Sequence, residues 1–409
     1  MPRILDVYLG KSLAGHFTQD DSGSLRFRYT TEWLASERAL ALSRSLPLRA
    51  EEYNRAECRP FFAGLLPEDE GRELIARRFG ISGRNDFALL EKIGGECAGA
   101  VSLMLSGEVP PPEAGSYHEV SAHELARLLG MLPQRPLLAG EEGVRLSLAG
   151  AQAKLAVAIR EGVFLLPQGG APSTHILKPS NPHFEGLVEN EHFCMTLAAH
   201  VDLAAAPTSV GQVDSIRFLQ VERYDRRRMP DGTLERLHQE DFCQAMGIPP
   251  EMKYQQEGGP NLKKCFELLR SASSAPGPDI LRLFDAVVFN YLIGNNDAHG
   301  KNFSLLYDEG SVRLAPLYDL VCTQTWGSLA ATLAMKIGDE RKPERVGAAN
   351  WRKFFKDAGL GAATAEKRLR TLTKTTLASA LELGNADPAT AHLGSTIAGN
   401  GARVLSLDW

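Results

Sequence analysis

The sequence predicts an α+β protein with a strand-rich lobe followed by a helical one. Three observations carry this. Between residues 155 and 222, short apolar runs alternate with Gly, Pro and charged turns, as strands do. From residue 238 onward the apolar spacing becomes i, i+3, i+4, i+7, the period of a helix face. Residues 1 to about 105 mix both signals in a smaller unit. A chain of 409 residues has room for two or three cores. The switch from strands to helices predicts two lobes with a cleft between them.

The first unit, residues 1–105, opens with "ILDVYLGKSLAGHFTQDDSGSLRFRYT", which alternates around "DDSGS" and predicts a β-hairpin. "EGRELIARRFGI" predicts a helix ending near Gly80, and "GGECAGAVSLML" a strand after a glycine turn. The Pro/Gly/Ser-rich stretch 106–116 is a boundary. The second unit, residues 106–235, holds strand 155–160, a turn at Glu161–Gly162, strand 163–166, the strand "THILKP", a helix at 187–201 and the strand "SIRFLQVERYD". In that helix Val188, Met195 and Ala199 are candidates for the inner face. The third unit, residues 236–409, predicts helices at "QEDFCQAMG", "LKKCFELLR" and "DILRLFDAVVFNYLIG", then "AATAEKRLRTLTKTTLASALEL". In the third of these Leu281, Phe284, Val288, Tyr291 and Leu292 form one buried face.

Composition excludes several functions. A net charge of −5 leaves no general affinity for nucleic acid. The basic run "RYDRRR" at 223–228 precedes the turn residues "MPDG" and reads as a solvated hairpin end. Six cysteines are scattered without a Cys-x-x-Cys pair, against a zinc knuckle or a disulfide framework. No signal-peptide core opens the chain, and no run approaches the ~20 apolar residues of a membrane span. The expectation is a cytoplasmic, reduced protein with no membrane role.

Chemistry concentrates in "LIGNNDAHGKNFSLL", residues 292–306. Two apolar runs frame a polar loop, so a helix ending at Gly294 and a hairpin ("FSLLY", "DEG", "VRLAP") would hold it rigidly. Asp297-x-x-x-x-Asn302 has the spacing of a protein-kinase catalytic loop, and Asp319 follows one hairpin later. Phosphoryl transfer needs a carboxylate beside the attacking hydroxyl, Asp297. It also needs hard oxygens for Mg²⁺, which Asn302 and Asp319 supply. A lone Asp-x4-Asn reads more simply as a capped polar turn; the second aspartate favours the catalytic reading.

The remaining parts follow in kinase order. "LSLAGAQAK" at 146–154 is a short glycine loop whose amides could cradle phosphate. Lys178 lies in the third strand after it, with Glu189 or Glu191 on the next helix as an anchor worth roughly 4 kcal/mol before desolvation. "VERYD" at 221–225 ends a strand and could meet adenine through its backbone.

The wording "SLAGAQAK", "THILKPS", "ENEHFCM", "VERYDR", "QEDFCQAMG", "KYQQEGGP", "DAHGKNFSLL" and "LYDL" resembles the HipA family of serine/threonine kinase toxins, densely over residues 140–335. Residues 1–105 resemble that family's N-terminal domain. The resemblance implies a two-lobed protein-kinase-like fold with a small mixed β/α N-terminal subdomain. It implies Asp297 as catalytic base and Asn302 and Asp319 as Mg²⁺ ligands. ATP would meet Ala151, Gln152, Ala153, Lys154, Lys178, Glu222, Arg223, Tyr224, Gln239, His299 and Lys301. Ser147 matches the serine that such kinases phosphorylate in themselves, which ejects the phosphate loop. The implied partner is a HipB-like helix-turn-helix antitoxin that carries most of the contact to operator DNA. The implied substrate is glutamyl-tRNA synthetase, in a toxin–antitoxin module. Three rivals are a small-molecule kinase, a degenerate kinase-fold co-repressor, and a metallohydrolase using His175, Asp297, His299 and Asp319; the two histidines lack ligand spacing.

Overall fold

The computed structural model describes residues 2–108, 116–141 and 143–409. The boundary stretch at 106–116 falls largely outside them. The chain divides into two compact units, residues 1–179, 211–250 and 306–309 in one, and 180–210, 251–305 and 310–409 in the other.

The first unit starts with an antiparallel sheet in the order β3-β2-β1-β4: β1 (Arg3–Leu9), β2 (Ser12–Gln19), β3 (Leu25–Tyr29) and β4 (Val101–Leu105). The expected hairpin is β2–β3. Its turn forms because Asp20 Oδ1 accepts from the amides of Ser22 and Ser24, both at 2.9 Å. A second hairpin precedes it, turning at Gly10 with φ 61°. Three helices cover one face: α1 (Arg55–Gly64), α2 (Asp69–Phe79) and α3 (Asp86–Ile93). Asn54 and Glu57 close a capping box at the start of α1, and left-handed Gly80 ends α2 where the sequence places its end. Phe17 stacks on Phe62 with centroids 4.0 Å apart, and both are fully buried.

A six-stranded sheet follows, ordered β5-β7-β6-β8-β10-β9. Its strands are β5 (Tyr117–Glu119), β6 (Leu155–Arg160), β7 (Val163–Pro167), β8 (His175–Pro179), β9 (Thr208–Val213) and β10 (Ile216–Glu222). Helix α4 (Ala122–Met131) buries Leu125, Leu128 and Leu129. Leu155, Ala156, Val157 and Leu177 join the core that runs from β1 onward, so both sheets share one apolar interior. The hairpin β11 (Arg226–Arg228) and β12 (Leu234–Arg236) comes next, then β13 (His238–Asp241).

Two expectations are corrected here. "QEDFCQAMG" is not helical throughout: residues 238–241 are strand and only Phe242–Ala245 is helix. Asp241 is the cap, accepting from the Gln244 amide at 2.8 Å while Gln244 Oε1 accepts from the Asp241 amide, so a helix cannot start earlier. The run 223–228 does end in a hairpin, and Arg228 is exposed as expected, but Arg223 and Arg226 are not solvated. The side chains of Arg223 and Arg226 are 3% and 2% exposed, because two buried carboxylates face them.

The second unit is helical. It contains α5 (Leu187–His200), α6 (Leu262–Ala272), α7 (Pro276–Leu292), α8 (Ala348–Ala358), α9 (Ala362–Ala386) and α10 (Ala391–Leu405). Helix α5 buries Val188, Glu191, Met195 and Ala198; Ala199 is exposed, one position beyond that face. Helix α7 is buried on all sides from Leu283 to Leu292, so it reads apolar around its circumference, whereas Leu281 is only half-buried. Phe284 stacks on Phe354 of α8 at 5.1 Å. Gly384 of α9 and Gly394 of α10 let the two long helices touch, since a Cβ on Gly394 would meet the Ala380 carbonyl at 2.5 Å. The hairpin after the polar loop is β14 (Ser304–Asp308) and β15 (Ser311–Leu314), as the sequence predicts. Among the described residues no helix is long and apolar enough to cross a membrane.

Candidate functional site

In the second unit the loop 294–302 leaves α7 through Gly294, whose φ is 72°. A Cβ there would also meet the Gln324 side chain at 2.6 Å, so the backbone conformation favours glycine and a larger residue would have to displace that side chain. The loop's frame is buried and polar. Asn295 is 4% exposed and donates to Asn290 Oδ1 at 2.8 Å; its own Oδ1 accepts from the Asp297 amide at 3.1 Å. Asn296 donates its amide to Thr323 Oγ1 at 2.8 Å. His299 and Asn302 bond each other through backbone and side chain. Asp297 alone of this run is exposed. A carboxylate thus stands toward solvent on a frame whose members are buried and bonded.

The Asp319 segment is knitted to the same loop. Tyr318 donates to the Lys301 carbonyl at 2.6 Å, Thr323 to the Gly294 carbonyl at 3.0 Å, and Asn295 to the Asp319 carbonyl at 3.4 Å. Asp319 has φ 53°, a left-handed backbone that Asp tolerates but that still costs of order 1 kcal/mol. Buried Asn190 of α5 holds the chain just beyond, accepting from the Cys322 amide at 2.8 Å and donating to its carbonyl at 3.2 Å. Near the start of α7, Asp279 accepts from Arg313 and from the Leu314 amide, each at 3.0 Å, which ties the helix to β15. Helix and hairpin mount the loop from both ends, as the sequence predicts.

The first unit holds the rest. Lys178 lies on β8 opposite Leu219 of β10 and is 5% exposed. The glycine loop precedes β6. Gly150 takes φ 99°, and Lys154 Nζ donates to the Ala149 carbonyl at 3.0 Å, folding the loop over its own lysine. Ala151 is exposed, Gln152 and Ala153 are half-buried, and Lys154 is buried. Ser147 is wholly buried. Its hydroxyl donates to the Leu65 carbonyl at 2.8 Å and its amide to the Glu96 carbonyl at 2.8 Å.

At the end of β10, Glu222 is exposed and the Arg223 amide donates to the Thr174 carbonyl at 2.9 Å. The Arg223 guanidinium does not reach outward. It forks onto Asp225 at 3.0 and 2.8 Å and onto Ser173 at 2.9 Å. Arg226 meets Glu96 at 2.8 Å and Asp225 at 3.1 Å, and the Gly99 amide donates to Asp225 at 2.8 Å. Burial alone would push the Asp225 carboxyl up; Arg223 and Arg226 outweigh it and hold it well below its ordinary value. Burial and the like charge of Arg226 push Arg236 down to about 10. Tyr224 donates to Gln239 Oε1, and Gln239 donates to Asp225 at 3.1 Å. The structure therefore brings together Arg223, Tyr224 and Gln239 in the first unit, and Asp297, His299, Lys301, Asn302 and Asp319 in the second.

One contact escapes sequence reasoning. The Tyr254 hydroxyl donates to Asp297 Oδ1 at 2.8 Å, and its ring stands edge-on to His299 with centroids 5.2 Å apart. Tyr254 stands in the motif "KYQQEGGP", whose Gly258–Gly259 marks a tight turn after the tyrosine, but nothing in the motif assigns it a partner.

Comparison with known proteins decides the family. Residues 146–380 match the HipA-like C-terminal domain and residues 5–104 the HipA N-terminal domain. The chain belongs to the HipA family. It is 48% identical to the Y4mE protein of Sinorhizobium fredii, over 91% of this chain and 90% of that one. It is 30% identical to the serine/threonine-protein kinase toxin HipA of Shewanella oneidensis, over 87% and 83% of the two chains. The solved complex of Shewanella oneidensis HipA, HipB and operator DNA contains a chain that superposes with a TM-score of 0.85 at 25% identity, covering 98% of each. This HipA-family chain has that α+β, kinase-like fold.

Proposed function

We propose that this HipA-family protein is an ATP- and Mg²⁺-dependent serine/threonine protein kinase, the toxin of a two-component module. The observation that carries the reading is Asp297, an exposed carboxylate on a buried, bonded loop with Asn302 five residues on. Residues 1–105 serve as the N-terminal subdomain, 106–235 as the nucleotide-holding lobe and 236–409 as the catalytic lobe.

The donor set fits the groups that such chemistry needs. The Asn302 amide oxygen accepts one bond, from the His299 amide at 3.1 Å, and keeps a second lone pair for a hard cation. Asp319 adds a carboxylate oxygen, the other ligand type that Mg²⁺ prefers. When bound, Mg²⁺ neutralises charge that develops on the phosphates. Asp297 orients the acceptor hydroxyl and takes its proton at a carboxylate oxygen. Lys178 and Lys154 offset phosphate charge, and the amides of 151–153 bond phosphate oxygens. Tyr224 and Gln239, linked to each other, line the adenine side with the 222–224 backbone. Arg223 acts there by rigidity rather than by contact, since its guanidinium is engaged with Asp225.

A protein partner follows from the same reading. The relative solved with HipB and operator DNA supports a helix-turn-helix antitoxin as partner, DNA being met mainly through it, inside the cytoplasm. Glutamyl-tRNA synthetase, the substrate that the family resemblance names, is the first to test.

Ser147 gives this reading a structural condition. Its hydroxyl is buried against Leu65, so phosphate can be added only after residues 146–154 leave their seat. Once added, about −1.5 to −2 charges cannot return beside that carbonyl, and the loop stays out. Incubation with Mg²⁺-ATP, followed by mass spectrometry of the protein and of a lysate, is the test. Phosphate on Ser147 and on a synthetase is expected, with ATP affinity lost in step with Ser147 occupancy. No phosphate on any protein would end the kinase reading; equal ATP affinity with and without phosphoserine would end the switch.

Lys178→Ala is expected to abolish most of the thermal stabilisation that ATP confers, because an alanine offers the phosphates no positive charge. Lys178→Arg recovers little, its fork being bulkier in a buried strand position. Equal stabilisation of parent and Lys178→Ala by ATP would make the lysine structural.

A further inference from the structure

We propose that Tyr254 is a positioning residue for Asp297, the phenol holding the carboxylate in the orientation and ionisation state that transfer requires. This rests on the reading of Asp297 as the base. The geometry is a 2.8 Å bond from the Tyr254 hydroxyl to Asp297 Oδ1. Several staggered rotamers are open to an aspartate side chain, and a bond to one carboxylate oxygen favours one of them. The same bond favours the ionised carboxylate, since a donor to the charged form lowers a carboxyl's proton affinity.

The phenol is fixed by its own loop. The Tyr254 carbonyl accepts from the amides of Glu257 at 3.0 Å and Gly259 at 2.9 Å. Gly258 takes φ 100°. A Cβ on Gly259 would lie 2.4 to 2.8 Å from the carbonyl oxygens of Met252, Lys253 and Tyr254, so the coil is packed to its backbone. The next residue, Gln255, donates its amide to the Ala334 carbonyl at 3.3 Å and accepts from the Lys336 amide at 2.8 Å. The ring meets His299 edge-on at 5.2 Å, and the Lys253 ammonium lies over it at 5.3 Å. A loop anchored this way does not swing aside to admit a hydroxyl. The rigid mount makes the tyrosine a fixed strut for Asp297 and argues against a gate or a self-phosphorylated acceptor.

Tyr254→Phe removes one oxygen and keeps the ring, so it isolates the bond. The readout is the first-order rate of phosphate uptake by the full-length protein from γ-labelled Mg²⁺-ATP, followed against pH and ATP concentration. The rate is expected to fall about tenfold, as loss of fixed geometry does. Apparent KM for ATP stays within about twofold, since the change removes only the hydroxyl, which bonds Asp297, and keeps the ring that meets His299. The acid limb of the pH profile moves to higher pH by up to about one unit, because the carboxylate has lost a donor. An unchanged rate overturns the proposal. So does a lower rate with an unmoved acid limb, which would mark a merely structural residue. Asp297→Asn in the same assay separates the two readings. If that variant keeps full activity, Asp297 is not the base; if it is inactive while Tyr254→Phe is silent, only the role of Tyr254 fails.

Discussion

Asp297→Asn lowers phosphate transfer by at least ~10²-fold, the scale of a positioned acid or base, while the unfolding midpoint stays near that of the parent. The two halves of this expectation come from different parts of the structure. Asp297 is exposed and its backbone amide is held by Asn295, not by its own carboxylate. Exposed substitutions away from special backbone features change stability by less than about 0.5 kcal/mol. The asparagine keeps an oxygen that accepts from Tyr254, so that bond survives. What disappears is the negative charge and the capacity to take a proton. ATP binding is expected to persist, because Lys178, Lys154 and the glycine loop are untouched. Titration of ATP and single-turnover transfer, measured on one preparation, check both halves. Full transfer by the variant would remove Asp297 from the mechanism.

Asp225→Ala destabilises the first unit by about 3–5 kcal/mol, the usual cost of breaking a buried ion network at one partner. Asp225 accepts from Arg223, Arg226, Gln239 and the Gly99 amide. Its removal leaves two buried guanidiniums with Glu96 as their remaining carboxylate. The Asp225 carboxyl is held below its ordinary value of 3.8, so its contribution is complete above that pH. It is lost only as pH falls toward the lower folded value, and no part fades between pH 6 and 8. Urea unfolding at pH 7 therefore reads the full effect, and the difference from the parent narrows in acid. Asp225→Asn, which keeps an acceptor for the Gly99 amide but not the charge, falls between. A change below about 1 kcal/mol would mean that the arginines find other partners.

Much of the architecture was legible in the sequence, because it is encoded locally. Gly80 ends its helix, "DDSGS" turns its hairpin, and the strand–turn–strand at 155–166 is readable from alternation within a dozen residues. The polar loop was legible for the same reason: an apolar helix and an apolar hairpin bound it, and the Asp-x4-Asn spacing lies within six residues. Local signals failed where a neighbour distant in sequence decides. "QEDFCQAMG" carries helical spacing, but residues 238–241 are strand, with Glu240 buried against Ser43 and Tyr307. Ala199 keeps the helical period and is nonetheless exposed, since burial depends on what packs against that turn.

What the sequence determined by itself is the order of elements and the chemical types at the candidate site: a carboxylate, an amide, a second carboxylate, a strand lysine and a glycine loop. Tertiary structure alone decided their state. The arginine run reads as a solvated hairpin end, and only the approach of Glu96, 130 residues from Arg226, draws Arg223 and Arg226 into a buried ion network. Ser147 reads as a serine just before a glycine loop, with no sign of its burial; the fold buries it and brings its hydroxyl to the Leu65 carbonyl, 82 residues away. Tyr254 has no chemical signature until the fold carries it across 43 residues to Asp297. The physical reason is common to all three. Backbone propensity and hydrophobic period act over a few residues. Desolvation and hydrogen bonding act at contact distance, and contact across the chain is created only by the packed core.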